Sequence, residues 1–251
     1  MVKAGAADRS AGVADVSPLP DGARLEGLGT AFRLALLLAA LASGRTRLRG
    51  FARPEELAHL AAALRGLGAL VRRESEDWIV DGVGNGCLLE PREPLDLLGD
   101  PASAVLLAGL VAAYDFPTTL IVGETLSPIL DRLAAPLRLV GAEIAKKNGG
   151  AGLCIRGPRV AAPVAHRPDV PSQGLKAALL LAGLNAPGTT SLAEPGSVPD
   201  PVERLLTVFG AALAVETNAG GERVLRLEGQ GALRAVPELA LPEVLHLGEA
   251  G

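Results

Sequence analysis

The sequence predicts an α/β fold of the mixed α+β kind, a pseudo-threefold, inside-out assembly of three β-α-β-α-β-β units. Three observations predict this fold. A nearly all-apolar helix occurs three times, a Gly-Ala pair closes a second helix after each copy, and strands of alternating polar and apolar residues follow each pair. Helices that are apolar on every side must be buried, whereas strands with one polar face must keep that face in water. Helices therefore occupy the centre and sheets the outside.

Glycines mark the register of the repeat. Gly68, Gly141 and Gly210 each close an amphipathic helix and lie 73 and 69 residues apart. A second set of glycines ends one strand in each unit, namely Gly82, Gly157 and Gly229. Because these glycines recur in the same order and at nearly the same spacing in three copies, we interpret the chain as an internal threefold repeat. We predict one domain over residues 22–229, with units at about 22–82, 95–157 and 159–229.

The elements of each unit follow from periodicity, caps and turn residues. Unit one is predicted to have strands at Ala23–Glu26 and Arg45–Gly50, a buried helix capped by Thr30, a helix at Pro54–Leu67 and a hairpin of Ala69–Arg73 with Asp77–Asp81. Unit two has strands at Leu95–Leu98 and Thr118–Val122, helices at Ala102–Tyr114 and Pro128–Val140, and a hairpin of Glu143–Lys146 with Leu153–Arg156. Unit three has an edge strand near Ala161–His166, helices at Leu175–Leu184 and Pro201–Phe209, a strand at Thr189–Ala193, and a hairpin of Ala212–Thr217 with Arg223–Glu228.

Two segments lie outside the predicted domain. Met1–Asp21 is rich in Ala, Gly, Ser, Asp and Pro, and we predict a disordered tail. Residues 230–251 are predicted to be a truncated return segment, in which Val236–Leu247 is apolar and exposed.

Composition argues against several classes of protein. The formal net charge is −4 and no run of Lys and Arg exceeds two residues, so we expect neither nucleic-acid binding nor attachment to an anionic membrane. No apolar run approaches the roughly 18–20 residues that cross a bilayer, and no secretory signal is recognisable. Because Cys87 and Cys154 lack ligand spacing and His59, His166 and His246 are scattered, we predict a cytoplasmic protein with reduced thiols, no metal and no cofactor.

Three segments carry a resemblance to a known family: L-A-S-G-R-T-R-L-R-G, D-W-I-V-D-G-V-G-N-G and L-L-L-A-G-L-N-A-P-G-T-T. From about Gly22 to Leu241 the chain resembles the 3-phosphoshikimate 1-carboxyvinyltransferases, the enolpyruvylshikimate-phosphate synthases of aromatic amino-acid biosynthesis. The resemblance implies their inside-out fold and the transfer of enolpyruvyl from phosphoenolpyruvate to shikimate 3-phosphate. In that family a second domain forms the other wall of the substrate cleft. This sequence resembles the three-unit domain and the crossings into and out of it.

The first family motif at the substrate site is altered in this sequence. The family's G-D-K-S-x-x-x-R loop, at a helix start suited to anions, aligns with Gly27–Leu34. Gly29 then stands at the lysine and Leu34 at the arginine. Thr30 replaces the serine, and Arg33 lies one position early, about 100° away around a helix.

The later motifs are altered as well. The family's N-x-x-T-x-x-R segment aligns with Gly99–Val105 and loses all three residues, and its K-R-P stretch matches nothing in Thr125–Pro128. Its S-A-Q-V-K segment aligns with Ser172–Lys176, and its T-R-D-H segment with Val198–Pro201. The matching residues are Ser172, Lys176 and Asp200, with Gln173 displaced by one position.

These losses concern cations that the family's reaction needs, because both of its substrates are anions. Each charge-assisted contact to a phosphate contributes roughly 1.5–3 kcal/mol. We therefore predict a kept scaffold with no catalytic residue and a remnant substrate-binding set. Its members are Thr30, Arg33, Arg167, Ser172, Gln173, Lys176 and Asp200.

Each remnant also has an ordinary structural interpretation. Capping is the commoner role of a Ser, Thr or Asp at a helix start, which applies to Thr30, Ser172 and Asp200. Arg33 and Arg167 are better explained as solvated or structural arginines. Lys176 leaves two interpretations open, a remnant of the site and a side chain that snorkels from a buried helix.

Three functional hypotheses follow. The first is a truncated, motif-degenerate relative of the family, a pseudoenzyme without independent activity that binds shikimate 3-phosphate weakly. The second is a component of an active transferase, completed by a separate chain or by self-association, which the exposed apolar segment Val236–Leu247 would favour. The third is a non-catalytic interaction or regulatory module.

Overall fold

The computed structural model describes residues 25–50, 54–123, 127–147, 151–168, 172–195 and 201–241, with backbone alone at 25–28, 54 and 127–130. Its helices are α1 (Leu25–Leu41), α2 (Ala58–Gly66, after a 3-10 turn at Pro54–Leu57), α3 (Pro101–Val111), α4 (Ser127–Val140), α5 (Gln173–Gly183) and α6 (Pro201–Val208). Its strands are β1 (Ser43–Arg49), β2 (Leu70–Glu74), β3 (Asp77–Val83), β4 (Leu95–Asp96), β5 (Pro117–Ile121), β6 (Glu143–Lys147), β7 (Gly152–Arg156), β8 (Ala165–His166), β9 (Thr189–Pro195), β10 (Ala212–Thr217), β11 (Glu222–Glu228) and β12 (Glu238–Ala240).

Helices α1, α3 and α5 form the centre of the domain. All residues from Ser103 to Val111 in α3 and from Lys176 to Gly183 in α5 are buried. Successive contacts between α3 and α5 join residues that come later in both helices. Gly174 lies against Val105 and Gly109 against Ala178, so the helices run parallel. A Cβ at Gly109 would lie 2.2 Å from the carbonyl oxygen of Ala178, which shows how closely the two backbones pack.

The three sheets share one strand order. Sheet one is β12-β1-β3-β2, sheet two is β4-β5-β7-β6 and sheet three is β8-β9-β11-β10. In each, a short edge strand pairs parallel with the strand that follows the central helix, and that strand pairs antiparallel with a hairpin. The strands bury alternate residues, as β11 does at Arg223, Leu225 and Leu227. The predicted α/β fold class, with helices inside and sheets outside, is confirmed.

The edge strand of sheet one differs from the prediction. A strand at Ala23–Glu26 is wrong for the residues that the structure describes, because Leu25 and Glu26 begin α1. Thr30 is consequently the sixth residue of α1 and does not cap it. The place beside β1 is taken by β12, from the other end of the described chain.

The prediction that Val236–Leu247 is exposed is also wrong as far as Leu241, and residues 242–247 lie outside the described residues. Val236, Leu239 and Leu241 are all buried, with at most 7% of each exposed. Their burial follows from the pairing of β12 with β1, which places them in the core between sheet one and the helices.

The linkers after each hairpin make equivalent contacts. In each, a backbone N–H donates to the carbonyl that precedes the glycine closing the second helix: Leu89 to Leu67, Ala162 to Val140 and Arg234 to Phe209, all at 2.9 Å. Each linker then enters the next sheet as its parallel edge strand. Since the third linker returns to sheet one through β12, the three units form a closed ring.

Close approaches of strands to helix ends explain the second set of glycines. An added Cβ at Gly82, Gly157 or Gly229 would lie 2.1, 2.6 or 1.8 Å from a carbonyl oxygen at the end of α1, α3 or α5, respectively. No side chain fits in that space. A glycine is therefore required wherever a hairpin strand crosses the end of a central helix.

No helix within the described ranges has the length and hydrophobicity needed to cross a bilayer.

We predict that Gly229→Ala lowers the free energy of unfolding by about 2–3 kcal/mol, because the new methyl group overlaps the carbonyl oxygen of Ala186. The matched control is Gly231→Ala, since a Cβ at Gly231 meets no atom within 4 Å and the residue is exposed. Urea denaturation followed by circular dichroism measures both. Equal effects of the two substitutions would contradict the proposed role of Gly229.

Candidate functional site

The central helices bring most of the described candidate residues to one end of the domain. Arg33 of α1 contacts the N-terminus of α3, and Val105 near that N-terminus lies against Gly174 at the start of α5. We call this region the helix-start end and define it by Arg33, Asp100, Ser103, Ser172 and Lys176. It is the end at which backbone N–H groups and the helix dipoles favour anions.

Arg33 is bound to a carboxylate of the neighbouring unit. Its Nε donates to Oδ1 of Asp100 at 2.8 Å and to Oγ of Ser103 at 3.2 Å, and Nη1 donates to the carbonyl oxygen of Gly29 at 3.1 Å. The side chains of Arg33 and Asp100 are only 12% and 4% exposed. The positive charge of Arg33 is therefore matched by a buried negative charge.

Asp100 is also the N-cap of α3. Its carboxylate accepts hydrogen bonds from the backbone N–H of Ser103, at 3.2 Å, and from the Ser103 hydroxyl. A carboxylate suits this position because it satisfies free N–H groups and complements the helix dipole. Three donors thus converge on a side chain of the protein itself.

The start of α5 has a simpler cap. Ser172 Oγ accepts from the backbone N–H of Leu175 at 3.4 Å, which confirms the predicted capping role of Ser172. Gln173 is the first helical residue and is half-buried. Arg167 lies nearby on the surface, 74% exposed, and pairs with Glu222 at 2.9 Å.

Lys176 lies in a group of four charges, which we call the charge quartet: the buried Lys176, Glu203 and Arg223, and the half-buried Glu194. Lys176 Nζ donates to Glu194 at 2.7 Å and to Glu203 at 2.6 Å. Arg223 donates to the same two carboxylates. With two cations and two anions the quartet has no net charge. The snorkelling interpretation of Lys176 is wrong, because the amine ends on the carboxylates of Glu194 and Glu203 and only 5% of the side chain is exposed.

The quartet partners of Lys176 were missed in the sequence, although a signal was present. Arg223 occupies an inward position of β11, in step with Leu225 and Leu227, where a charge requires a partner. Glu203 lies on the buried side of α6, and Glu194 is the strand partner of Arg223. An inward charge in an alternating strand is the pattern that would have identified this group.

The structure changes the interpretation of two of the aligned motifs. Gly27–Thr30 lies within α1 and is not a loop before a helix, so Thr30 is 8% exposed inside the fold. The family's N-x-x-T-x-x-R pattern fits this chain when it is moved one residue later. Asp100 then stands at the Asn and Ser103 at the Thr, and these two residues are the N-cap and the third residue of α3. Leu106, fully buried, then stands at the arginine position instead of Val105. Asp200 lies outside the described residues.

Each of the candidate cations Arg33, Arg167 and Lys176 is bound to a carboxylate of the protein itself. A groove of about 740 Å³ in the described domain lies between α2 and residues 89–96, and no candidate residue lines it.

The family described as EPSP synthase (3-phosphoshikimate 1-carboxyvinyltransferase) matches residues 29–235, most of the chain. The chain belongs to the EPSP synthase family. A 3-phosphoshikimate 1-carboxyvinyltransferase of Brucella canis is 41% identical over 201 residues, which cover 79% of this chain and 45% of the relative. One from Rhizobium johnstonii is 37% identical over 231 residues, covering 91% of this chain and 51% of the relative.

Solved structures agree on the fold. EPSP synthase from Acinetobacter baumannii superposes with a TM-score of 0.75 at 28% identity, over 85% of this chain and 48% of that one. The enolpyruvyl transferase NikO from Streptomyces tendae superposes with a TM-score of 0.56 at 19% identity, over 86% and 50% of the two chains, and supports the fold alone. The chain thus spans about half the length of the EPSP synthase relatives that it matches.

We predict that Lys176→Met lowers the free energy of unfolding by about 3–5 kcal/mol, because it leaves the buried Glu203 and the half-buried Glu194 with one cation fewer. The matched control is Arg167→Met, which breaks an exposed pair and should cost less than about 1 kcal/mol. Guanidinium denaturation monitored by tryptophan fluorescence measures both variants. A small effect of Lys176→Met would show that the quartet does not stabilise the domain.

We also predict that Asp100→Ala costs about 3 kcal/mol, because it removes a helix cap and the partner of Arg33 together. Asp100→Asn keeps a capping oxygen and should cost less, so the difference isolates the charge pair. Ser172→Ala, which removes an exposed cap alone, should cost about 1 kcal/mol. Thermal unfolding of the three variants provides the comparison, and equal losses would refute the double role of Asp100.

Proposed function

We propose that this chain is an EPSP synthase-family domain that does not by itself transfer enolpyruvyl from phosphoenolpyruvate to shikimate 3-phosphate. One observation carries the proposal. At the helix-start end, the described cations Arg33, Lys176 and Arg223 are bound to the protein's own carboxylates. A site for two phosphorylated substrates needs cations that are available to the substrates.

The free energies involved favour the internal pairs. Removing one partner of a buried ion pair costs about 3–5 kcal/mol, so a substrate that recruited Arg33 or Lys176 would first have to displace a buried carboxylate. The bound carboxylate would then be left without its partner. In addition, Gly29 and Leu34 stand where the family motif has its lysine and arginine. These substitutions lower the stabilisation available to substrate and transition state alike.

Weak binding of shikimate 3-phosphate is part of the proposal. Ser172 is exposed and Gln173 half-buried at the start of α5, where the first backbone N–H groups of a helix have no partner within the helix. These neutral donors could hold a phosphate without help from a paired cation. We expect a dissociation constant in the millimolar range, because neutral hydrogen bonds contribute only about 0.5–1.5 kcal/mol each.

A second candidate function is that of one component of an active transferase. The observation that favours it is the position of the described chain ends. Strand β9 begins beside Gly183, at the end of α5, and ends beside Lys176, near the start of α5, so it runs toward the helix-start end. Strand β1 has the same place in sheet one, and its last residue, Arg49, accepts a hydrogen bond from Leu241. Leu241 therefore reaches the helix-start end, where α1 begins. Further polypeptide, joined or separate, would meet the domain at this end. The interaction-module hypothesis stays a prediction.

The decisive measurement is phosphate release by the purified chain with phosphoenolpyruvate and shikimate 3-phosphate, beside the Acinetobacter baumannii enzyme. We expect no release above the blank, and calorimetry should find only weak binding of shikimate 3-phosphate. Turnover within tenfold of the reference enzyme would refute the proposal.

A second arm separates the two candidate functions. It adds the half of the Brucella canis relative that this chain does not cover, expressed as its own polypeptide. Phosphate release that requires both polypeptides would establish the component hypothesis. No release in the mixture supports the first proposal.

A further inference from the structure

The segment of residues 232–241, which we call the strap, follows unit three in sequence but lies in sheet one. Three backbone hydrogen bonds hold it to β1, each at 3.1 Å: Ser43 N–H to Leu233, Arg47 N–H to Pro237, and Leu241 N–H to Arg49. Strand β12 within the strap pairs parallel with β1. The edge of β1 is thus an acceptor for an extended segment.

Side chains make this acceptor surface specific. The strap buries Leu233, Val236, Leu239 and Leu241 in the core. The backbone N–H of Val236 donates to the buried hydroxyl of Thr46 at 3.1 Å, and Arg49 pairs with Glu238. At Gly50 a Cβ would lie 2.3 Å from the carbonyl oxygen of Leu241, so the glycine admits the end of the strap.

The covalent connection to the strap is short and exposed. Gly229 and Gln230 are held by unit three, through backbone bonds to Gly188 and Leu184 at 2.9 and 2.8 Å. Gly231 and Ala232 follow, both exposed, and a Cβ at Gly231 would meet nothing within 4 Å. A change of backbone direction at these two residues, which we call the hinge, would carry the strap away from its own sheet one. It would break the bond from Asn85 to the Gly231 carbonyl, at 3.2 Å, and the bond from Arg234 N–H to Phe209 of unit three, at 2.9 Å, and the second of these can re-form with Phe209 of another copy.

We propose that the strap is exchangeable, so that the β1 edge of one copy of this chain accepts residues 232–241 of a second copy. The resulting twofold dimer would contain every contact of the closed ring, made between copies instead of within one. The closed and exchanged forms then differ only in the conformation of the hinge, residues 231 and 232, and in the entropy of association. Exchange therefore depends on protein concentration during folding.

The acceptor selects a second copy over an unrelated strand. An occupant must place apolar side chains at the four buried positions and a carboxylate beside Arg49, and it must carry a free N–H opposite Thr46. The strap meets all of these requirements at once. The inference is independent of whether the domain has transferase activity.

The test uses two full-length variants in which Cys87 and Cys154 are replaced by Ser. One carries Arg49→Cys and the other Ala240→Cys, positions that are direct partners in the β1–β12 pairing. The two variants are mixed in denaturant, refolded together and treated with a short bis-maleimide cross-linker. We expect a cross-linked dimer on a denaturing gel, in an amount that rises several-fold with protein concentration during refolding. Deleting Gly231 should raise it further, because a shorter hinge opposes closure within one copy.

Two controls make the outcome decisive. A single chain with both cysteines, refolded dilute, should cross-link internally and migrate as a monomer. The two variants folded separately and then mixed should give no dimer, since exchange requires unfolding of sheet one. If the double-cysteine chain cross-links internally while the co-refolded variants never do, even without Gly231, the proposal is overturned. The partner pair Arg47 and Glu238 gives a second, equivalent readout.

Discussion

The structure depends on the burial of three helices that are apolar on all sides. Such helices can leave water only if the free N–H and C=O groups at their ends find partners, because an unpaired buried polar group costs about 1–3 kcal/mol. At the far end of α3 and α5 the partners are side-chain amides. Asn85 donates to the carbonyl of Leu184 at 2.7 Å, and Asn185 to that of Ala113 at 2.8 Å. The glycines of the hairpin strands let backbone approach the same helix ends.

At the helix-start end the same requirement is met by carboxylate and hydroxyl groups of the protein. Asp100 caps α3 and neutralises Arg33, and Ser172 caps α5. One turn further along α5, the charge quartet satisfies Lys176. Carboxylate and hydroxyl groups of the protein thus occupy an end of the domain that is suited to external anions. This arrangement stabilises the folded domain, because each buried charge at this end has a partner of opposite charge.

Much of the fold could be predicted from the sequence, because local patterns determine it. The apolar helices, the hairpins of all three units and the outer helices follow from periodicity and turn residues. The edge strand of sheet one could not be predicted, since β12 is separated from β1 by almost the whole domain and a three-residue parallel strand has no local signature. Thr30 was misjudged because a Ser or Thr before an apolar run resembles a cap even where the helix begins earlier. The carboxylate partners of Lys176 are 18 and 27 residues away, and pairings over that distance are set by topology.

The sequence segments that carry the family resemblance lie mainly at the end of the domain remote from the helix-start end. D-W-I-V-D-G-V-G-N-G contains Gly82 and Asn85, which pack against and bond the ends of α1 and α5. L-L-L-A-G-L-N-A-P-G-T-T contains Asn185, which bonds the end of α3. These segments satisfy the constraint that three buried helices impose on their ends. Similarity of these segments to the family therefore reflects the scaffold of the domain, because the contacts they make are contacts with helix ends.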